Sequence, residues 1–226
     1  MNYEMIGRNM GCVFCENQQD RYYLYNGRKM CRMISEDEYW TIFPTIGAFV
    51  EGYVLHVLKR HATASALCTM DEISRLKRNV LDLAQKYQSV YHCQFSYIFE
   101  HGSIDAAYEA SCCINHTHVH MLPTTKDIDS VLSRVYLNEA LVFECLDDAY
   151  QSVLQREMRS YILVGGIHSS KYWVLDTTEN VRPSQYMRQV MYSLLVGDPN
   201  TYQWDWRRFP YLDNVFNTAK HMNVQM

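Results

Sequence analysis

Three features of the sequence predict an α+β protein, in which an antiparallel sheet packs against one helix and a smaller α+β extension follows. Short runs of alternating apolar and polar residues recur along the chain, as they do in strands. One long amphipathic pattern covers residues 70 to 91, as in a surface helix. The composition, 48% hydrophobic and 20% charged with five prolines, is that of a globular chain. We therefore expect no long disordered segment.

The first predicted elements are strands. Asn26-Gly27 separates the runs "RYYLY" and "KMCRMI", which predicts a hairpin over residues 20 to 34 with a type I′ turn. Two further strand-like runs cover residues 39 to 43 and 52 to 58. A strand over residues 93 to 102 comes later, and a loop then leads to a histidine-rich strand.

A helix is predicted over residues 70 to 91. Acidic Asp71 and Glu72 occupy its first turn, where negative charge favours a helix start. Apolar residues then follow at three- and four-residue steps: Ile73, Leu76, Val80, Leu83 and Tyr87. This spacing places one apolar stripe against the sheet.

The second half of the chain predicts fewer elements. Residues 160 to 166 and 172 to 178 resemble the two strands of a hairpin, and helices are predicted over residues 182 to 197 and 209 to 222. We place a boundary between residues 1–125, the predicted site-bearing domain, and residues 126–226, the predicted α+β extension.

Charge and cysteine content exclude several classes. A net charge of −4 and a pI near 6.1 disfavour a duplex nucleic acid as partner. No run approaches 18 apolar residues and no apolar signal region follows a basic start, so we expect a cytoplasmic protein that does not bind membranes. Its eight cysteines are then expected to be thiols.

The stretch "INHTHVHMLP", residues 114 to 123, contains three histidines at two-residue spacing. In a strand, alternate side chains share a face, so His116, His118 and His120 are expected to form a row. Such a row is a metal site, a site that handles phosphate, or an accident of the surface. Nucleophilic catalysis fits better than a hydrolytic zinc site, because a neutral imidazole attacks phosphorus and no carboxylate follows nearby.

This stretch resembles the His-x-His-x-His-x-x motif of the histidine triad superfamily of nucleotide hydrolases and transferases, with threonine at one usually hydrophobic position. Residues 52 to 61 are similar to the family's "G-H/Y-x-L-x-x-x-K-x-H" block, and "FEHG" is similar to bacterial-type members. The resemblance covers roughly residues 10 to 125. It implies a histidine-triad-like fold, with His118 as the nucleophile that attacks an α-phosphorus and His116 and His120 as its orienting partners.

The same resemblance implies a nucleotide-binding set. Ser111 and Cys113 would cradle the phosphate, and Phe43 and Thr45 match positions that contact base and ribose. Lys59 could steer phosphate, although a single lysine at a strand end is commonly solvated. The tail is similar to the extension of larger triad proteins, whose helix carries an early Gln and Arg.

Gln185 and Arg188, one helical turn apart in that tail, could therefore reach the nucleotide. The alternative, which the sequence favours, is a solvated helix face.

The Cys12-x-x-Cys15 pair supplies half of a zinc site or is a structural pair of thiols. Resemblance to family members with the same pair implies a structural zinc closed by His61 and His116. Zinc on His116 would leave the chemistry to His118 and His120, and the chemistry itself would need no metal.

The predicted function is cleavage or transfer at the α-phosphate of a nucleotide conjugate through a nucleotidyl-histidine intermediate. Two alternatives stay open: a module that binds nucleotides or RNA ends without turnover, and a zinc-dependent structural protein. Small triad domains pair as dimers, which leaves a homodimer open here.

Overall fold

The computed structural model describes residues 12–16, 22–25, 28–105 and 114–223. Within these ranges the chain is α+β, as predicted, with ten strands and six α-helices. The strands are β1 (Tyr22–Tyr25), β2 (Arg28–Cys31), β3 (Ser35–Glu36), β4 (Trp40–Pro44), β5 (Val54–Leu58), β6 (Phe95–Ser103), β7 (His118–Thr124), β8 (Ala140–Phe143), β9 (Ser160–Gly166) and β10 (Lys171–Asp176). The helices are α1 (Val13–Glu16), α2 (Met70–Tyr91), α3 (Asp129–Val135), α4 (Leu146–Gln155), α5 (Tyr186–Leu195) and α6 (Leu212–Met222).

Eight of the strands form one antiparallel sheet in the order β3-β4-β5-β7-β6-β9-β10-β8. The predicted first hairpin forms a separate pair, β1 and β2, and its Asn26-Gly27 turn lies outside the described residues. Strand β7 lies inside the large sheet, paired with β5 on one side and β6 on the other. Its histidines therefore sit on a strand that is fixed at both edges.

Helix α2 has the bounds that its sequence predicts, Met70–Tyr91. Thr69 and Glu72 form a capping box at its start, in which each side chain bonds the other residue's backbone N–H. The predicted apolar stripe is buried, and it packs on the face of the sheet that carries Val119 and Met121. The prediction of a helix against an antiparallel sheet is thus confirmed.

The opposite face of the sheet carries His118 and His120, because successive strand residues point to opposite sides. A second apolar core covers part of this face. It combines strand residues such as Phe99 with Met187 and Val215 from α5 and α6. The C-terminal helices therefore lie on the histidine side of the sheet.

Two predicted helix starts are wrong by a few residues. Helix α5 begins at Tyr186 and α6 at Leu212, rather than at residues 182 and 209. In each case the preceding residue has positive φ, +63° at Gln185 and +48° at Tyr211, and this left-handed backbone cannot continue a right-handed helix. Elements α3, β8 and α4 were not predicted at all.

The sheet crosses the predicted boundary at residue 125. Strand β6 pairs with β9 over seven residue pairs, from Tyr97 opposite Gly166 to Ser103 opposite Ser160. The division into residues 1–125 and 126–226 stays a prediction. Over the described part of the chain, no helix combines the length and the apolar character needed to cross a membrane.

Candidate functional site

The three histidines do not form one row. Strand β7 begins at His118, and residues 114 to 116 bend before it. The expectation that His116 shares a strand face with His118 and His120 is therefore wrong. The bend is held by backbone hydrogen bonds on both sides of Thr117, from its own N–H to Ala62 O at 2.6 Å and from Leu58 N–H to its carbonyl at 3.2 Å.

The side chain of His116 instead lies beside the other three predicted zinc ligands, Cys12, Cys15 and His61. Its Nδ1 lies 3.3 Å from Cys12 Sγ and 3.6 Å from Cys15 Sγ, and His61 Nδ1 lies 3.4 Å from Cys15 Sγ. All four ligand atoms lie within 4.8 Å of one another. In a tetrahedral zinc site the sulfur and nitrogen ligands are about 3.5 Å apart, given bonds of about 2.3 and 2.0 Å. These four residues fit a structural zinc.

The protonation of His116 also suits a metal ligand. Its Nε2–H donates to Leu58 O at 2.7 Å, so the lone pair of the neutral ring is on Nδ1, which faces the two thiols. Burial lowers the pKa of His116 to about 4, and a neutral imidazole is the form that binds zinc. Both nitrogens of His116 are thus committed, and its ring offers none to a phosphate.

His118 is half-buried, and its ring is oriented by its own chain. Nδ1 lies 2.6 Å from the carbonyl oxygen of His116, an acceptor, so Nδ1 must carry the proton. In the neutral ring the lone pair is then on Nε2. Burial lowers the pKa of His118, and the bond to the His116 carbonyl opposes this effect. His118 is therefore favoured in the neutral form that a nucleophile requires.

His120 is held by neighbours on two sides. Its ring stacks on Phe99 with the centroids 4.4 Å apart and the planes 7° from parallel. Its Nδ1 lies 2.8 Å from Tyr53 Oη. The rings of His118 and His120 are 5.1 Å apart, edge to face. Burial lowers the pKa of His120 well below its ordinary value, so both rings are neutral at physiological pH.

Phe43 belongs to an aromatic group that also includes Phe14, His116 and His118. The ring of Phe14 is 6.0 Å from Phe43, 5.6 Å from His118 and 5.5 Å from His116. The guanidinium of Arg32 lies 4.4 Å from the centre of the Phe43 ring. A half-exposed ring next to a cation is a surface on which a nucleobase can stack.

The other predicted nucleotide contacts differ in their placement. Thr45 is buried, and its hydroxyl donates to Ile46 O at 3.2 Å. Lys59 forms an ion pair with Glu36 at 3.2 Å. Ser111 and Cys113 lie outside the described residues.

Gln185 and Arg188 are not on a solvated helix face. Their side chains are 7% and 4% exposed, and the favoured sequence interpretation is wrong for both. Gln185 Nε2 donates to Asp205 Oδ1 at 2.9 Å, and Arg188 Nη1 donates to Tyr53 Oη at 3.2 Å. Arg188 therefore reaches the triad through a tyrosine that also contacts His120.

Sequence reasoning missed two residues of this site. Tyr53 stands at the variable H/Y position of the "G-H/Y-x-L" block, which was its only signal. His101 lies two residues beyond Phe99 on β6, hence on the same sheet face. Burial, together with the neighbouring His118, lowers its pKa to about 4. The alternation of "FEHG" could have placed it beside the triad.

No family model matches the chain, and no curated protein matches it. It is similar to a zinc-bound histidine triad family protein from Mycobacterium smegmatis, at 20% identity over 53% of this chain and 78% of that one, with a TM-score of 0.37. A HIT family protein from Bacillus anthracis gives 19% identity, 53% and 77% coverage and a TM-score of 0.39.

A third solved structure, a hypothetical histidine triad nucleotide-binding protein from Sulfolobus tokodaii, gives 17% identity, coverage of 51% of this chain and 68% of that one, and a TM-score of 0.37. All three have the family name that the sequence resemblance predicts. Likenesses this distant, over about half of the chain and with TM-scores below 0.5, carry no weight for its activity, which has to be argued from its own residues.

Proposed function

We propose that this protein cleaves or transfers at the α-phosphate of a nucleotide conjugate, with His118 as the nucleophile. The observation that carries the proposal is the 2.6 Å hydrogen bond from His118 Nδ1–H to the His116 carbonyl. It leaves the Nε2 lone pair free and stabilises the positive charge that the ring gains when Nε2 bonds to phosphorus. A solvated surface histidine needs no such arrangement.

The proposed reaction has two steps. The Nε2 lone pair of His118 attacks the α-phosphorus, and the bond from phosphorus to the bridging oxygen or nitrogen breaks, so that the leaving group departs with the electron pair. Water, or another nucleophile, then attacks the same phosphorus and breaks the P–N bond, which returns the electron pair to Nε2. His120, 5.1 Å from His118 between ring centroids, is placed to assist by donating a hydrogen bond to the developing negative charge, and Phe43 to support the base.

We also propose that Cys12, Cys15, His61 and His116 bind a structural zinc ion. The distances between their ligand atoms support this, as does the second-sphere bond from His116 to Leu58 O. The role of the metal would be to fix the bend before β7. His116 would then serve catalysis through its backbone carbonyl rather than through its ring.

The decisive experiment is covalent labelling. Wild-type protein is incubated with α-³²P-labelled dinucleoside polyphosphate, nucleotide sugar and adenosine phosphoramidate, and the protein is tested for an acid-labile, alkali-stable label. We expect a label and turnover for wild type, neither for His118→Asn, and AMP binding for both, because the substitution removes the nucleophile and keeps most of the contacts.

Two variants serve as comparisons. His120→Asn should slow turnover by about 10²–10³-fold, the usual cost of removing one hydrogen-bond donor that stabilises developing charge. His221→Asn, at an exposed position, should behave as wild type. If wild type binds AMP but neither labels nor turns over any of the three conjugates, the protein is a binding module and the catalytic proposal fails.

A further inference from the structure

Arg188 is a buried cation in the C-terminal half of the chain. Its side chain is 4% exposed, and each of its three nitrogens donates to a protein oxygen. Nε donates to Trp204 O at 3.1 Å, Nη1 to Tyr53 Oη at 3.2 Å, and Nη2 to Gly47 O. Among the described residues no carboxylate pairs with it. A buried charge whose hydrogen-bond partners are all neutral oxygens is uncommon. The position of the Arg188 guanidinium therefore calls for an explanation.

Hydrogen bonds link Arg188 to Tyr53 and Tyr53 to His120, and both are donated in the direction of the triad. A guanidinium only donates, so Tyr53 Oη accepts from Nη1. The single phenolic proton is then free for His120 Nδ1, at 2.8 Å. Among the described residues Tyr53 Oη has no other acceptor for this proton, so the bond satisfies it when His120 Nδ1 accepts, which places the proton of the neutral ring on Nε2. One arginine thus selects the tautomer of a histidine 68 residues away in sequence (188 − 120).

The pKa shifts of Tyr53 and His120 agree with this direction of donation. Burial raises the pKa of Tyr53 to about 12, so its proton is present at neutral pH. Burial and the nearby charges of His118, Arg188 and His101 lower the pKa of His120. The neutral ring is then a hydrogen-bond donor through Nε2–H, which can stabilise the negative charge that develops on a leaving group.

The backbone at Gly47 packs closely against the guanidinium of Arg188. Gly47 has φ +79°, and a Cβ there would lie 2.6 Å from Arg188 Nη2 and 2.3 Å from Trp206 Cβ. Both distances are far below van der Waals contact. Glycine at position 47 therefore makes the space that the Arg188 side chain occupies. The guanidinium is buried and already donates to three protein oxygens, which leaves little of it accessible to a phosphate.

We infer that Arg188 is a positioning residue, which acts through Tyr53 to fix His120, and that it is not a ligand of the phosphate. The inference rests on the proposed function for the use that His120 makes of its proton. The hydrogen-bond relay itself is a property of the protein without any ligand. It makes the C-terminal half of the chain a working part of the site.

The first test needs no substrate. In protein labelled with ¹⁵N-histidine, long-range ¹H–¹⁵N spectra report which nitrogen of each ring carries the proton. We expect His120 in wild type to be protonated on Nε2. Arg188→Met and Tyr53→Phe should each give a mixture of tautomers, and the double variant should add nothing to the single ones, because both break the same relay.

The second test separates positioning from binding. In wild type and Arg188→Met, Kd for AMP and single-turnover cleavage of a labelled conjugate are measured. Positioning predicts that cleavage falls by about 10²-fold while Kd stays within twofold. A phosphate ligand predicts the reverse: Kd rises tenfold or more, also in the Tyr53→Phe background, and the His120 spectrum is unchanged. That result would overturn the inference.

The controls keep the tests decisive. Arg182 also lies over a tyrosine, 5.4 Å from the Tyr186 ring, but that tyrosine has no described bond to a triad histidine, so Arg182→Met should leave the His120 spectrum unchanged. If Arg188→Met does not fold, Tyr53→Phe, which removes one oxygen, tests the same link. Should wild type turn over no conjugate, the spectra still decide on the relay, and only the proposed function is lost.

Discussion

His56 is a buried histidine on β5 for which neither ring nitrogen has a hydrogen-bond partner among the described residues. It is 0% exposed and lies across the ladder from Ile42 and Val119, which belong to the core beneath α2. Burial lowers its pKa to about 3, and Asp37 opposes this weakly. The folded protein therefore keeps His56 neutral under conditions in which an unfolded chain would protonate it.

His56→Leu should make the protein more resistant to acid. Because the folded pKa of His56 is below the unfolded value, the unfolded chain binds an extra proton once the pH falls below about 6.5. Stability is then complete above that pH and is lost toward pH 3, by up to about 1.4 kcal/mol per pH unit. Urea unfolding at pH 7.5 and pH 5.0 measures the loss.

The expected result is a smaller difference between the two pH values for His56→Leu than for wild type. The control is His92→Asn, at an exposed position with no described ion pair, and it should leave the difference nearly unchanged. An equal loss in wild type and His56→Leu would show that other groups cause the acid sensitivity.

For single residues, the sequence predicts those whose role follows from the spacing of their neighbours along the chain. His118 and His120 follow from the two-residue strand period, which the structure keeps from His118 onward. The Cys12-x-x-Cys15 pair follows from metal-ligand spacing. Arg188 and Tyr53 are different, because they are 135 residues apart (188 − 53) and only the folded sheet brings them together. No local pattern could indicate that Arg188 would be buried.

The short helix α1 is the element that the proposed zinc would stabilise most. It has four residues, Val13–Glu16, and an isolated helix of this length is unstable in water. Cys12 precedes it and Cys15 lies within it, and both thiols contact His116, just before β7. A zinc ion would join the helix to the strand that carries the triad.

Purified protein is therefore expected to contain about one zinc per chain, and chelation should lower its Tm, because ion binding adds to the stability of the folded state. Cys12→Ser should lower both the zinc content and the Tm. Cys93→Ser is the matched control, since that thiol is not among the four ligands. Metal-free protein from zinc-replete cells, with a Tm that chelator does not change, would contradict the proposed site.

Helices are predictable where their start signals are local. The bounds of α2 match the prediction because the capping box of Thr69 and Glu72 and the apolar stripe are both written in its own residues. Helices α3 and α4 were missed. The residues before them, Ile128 and Cys145, make no side-chain cap bond, and both helices are held by tertiary packing that a sequence pattern does not display.

The whole molecule is organised around the sheet that continues past residue 125. Composition changes little there, so a boundary could be placed only where the family resemblance ended. The pairing of β6 with β9 and the core shared by both halves depend on contacts that are distant in sequence. Such contacts are the part of a fold that local patterns predict least.

A chain that ends at residue 125 is expected to be insoluble or unfolded. It would expose the edge of β6 from Tyr97 to Ser103 and remove Met187 and Val215 from the core on the histidine face. Circular dichroism and size-exclusion chromatography measure the outcome, with a chain that ends at Asn223 as the control. A soluble 1–125 fragment that melts cooperatively would instead establish two separable domains.

The position of β7 in the middle of the sheet sets the timescale on which the site can open. His120 faces Leu55 on one neighbouring strand and Phe99 on the other, so its backbone cannot be released by fraying at an edge. Amide hydrogen exchange at His120 should then proceed only through global unfolding, and its rate would report the stability of the entire protein. A substitution that lowers the global free energy of unfolding, even on a distant strand, would therefore also speed exchange at the triad.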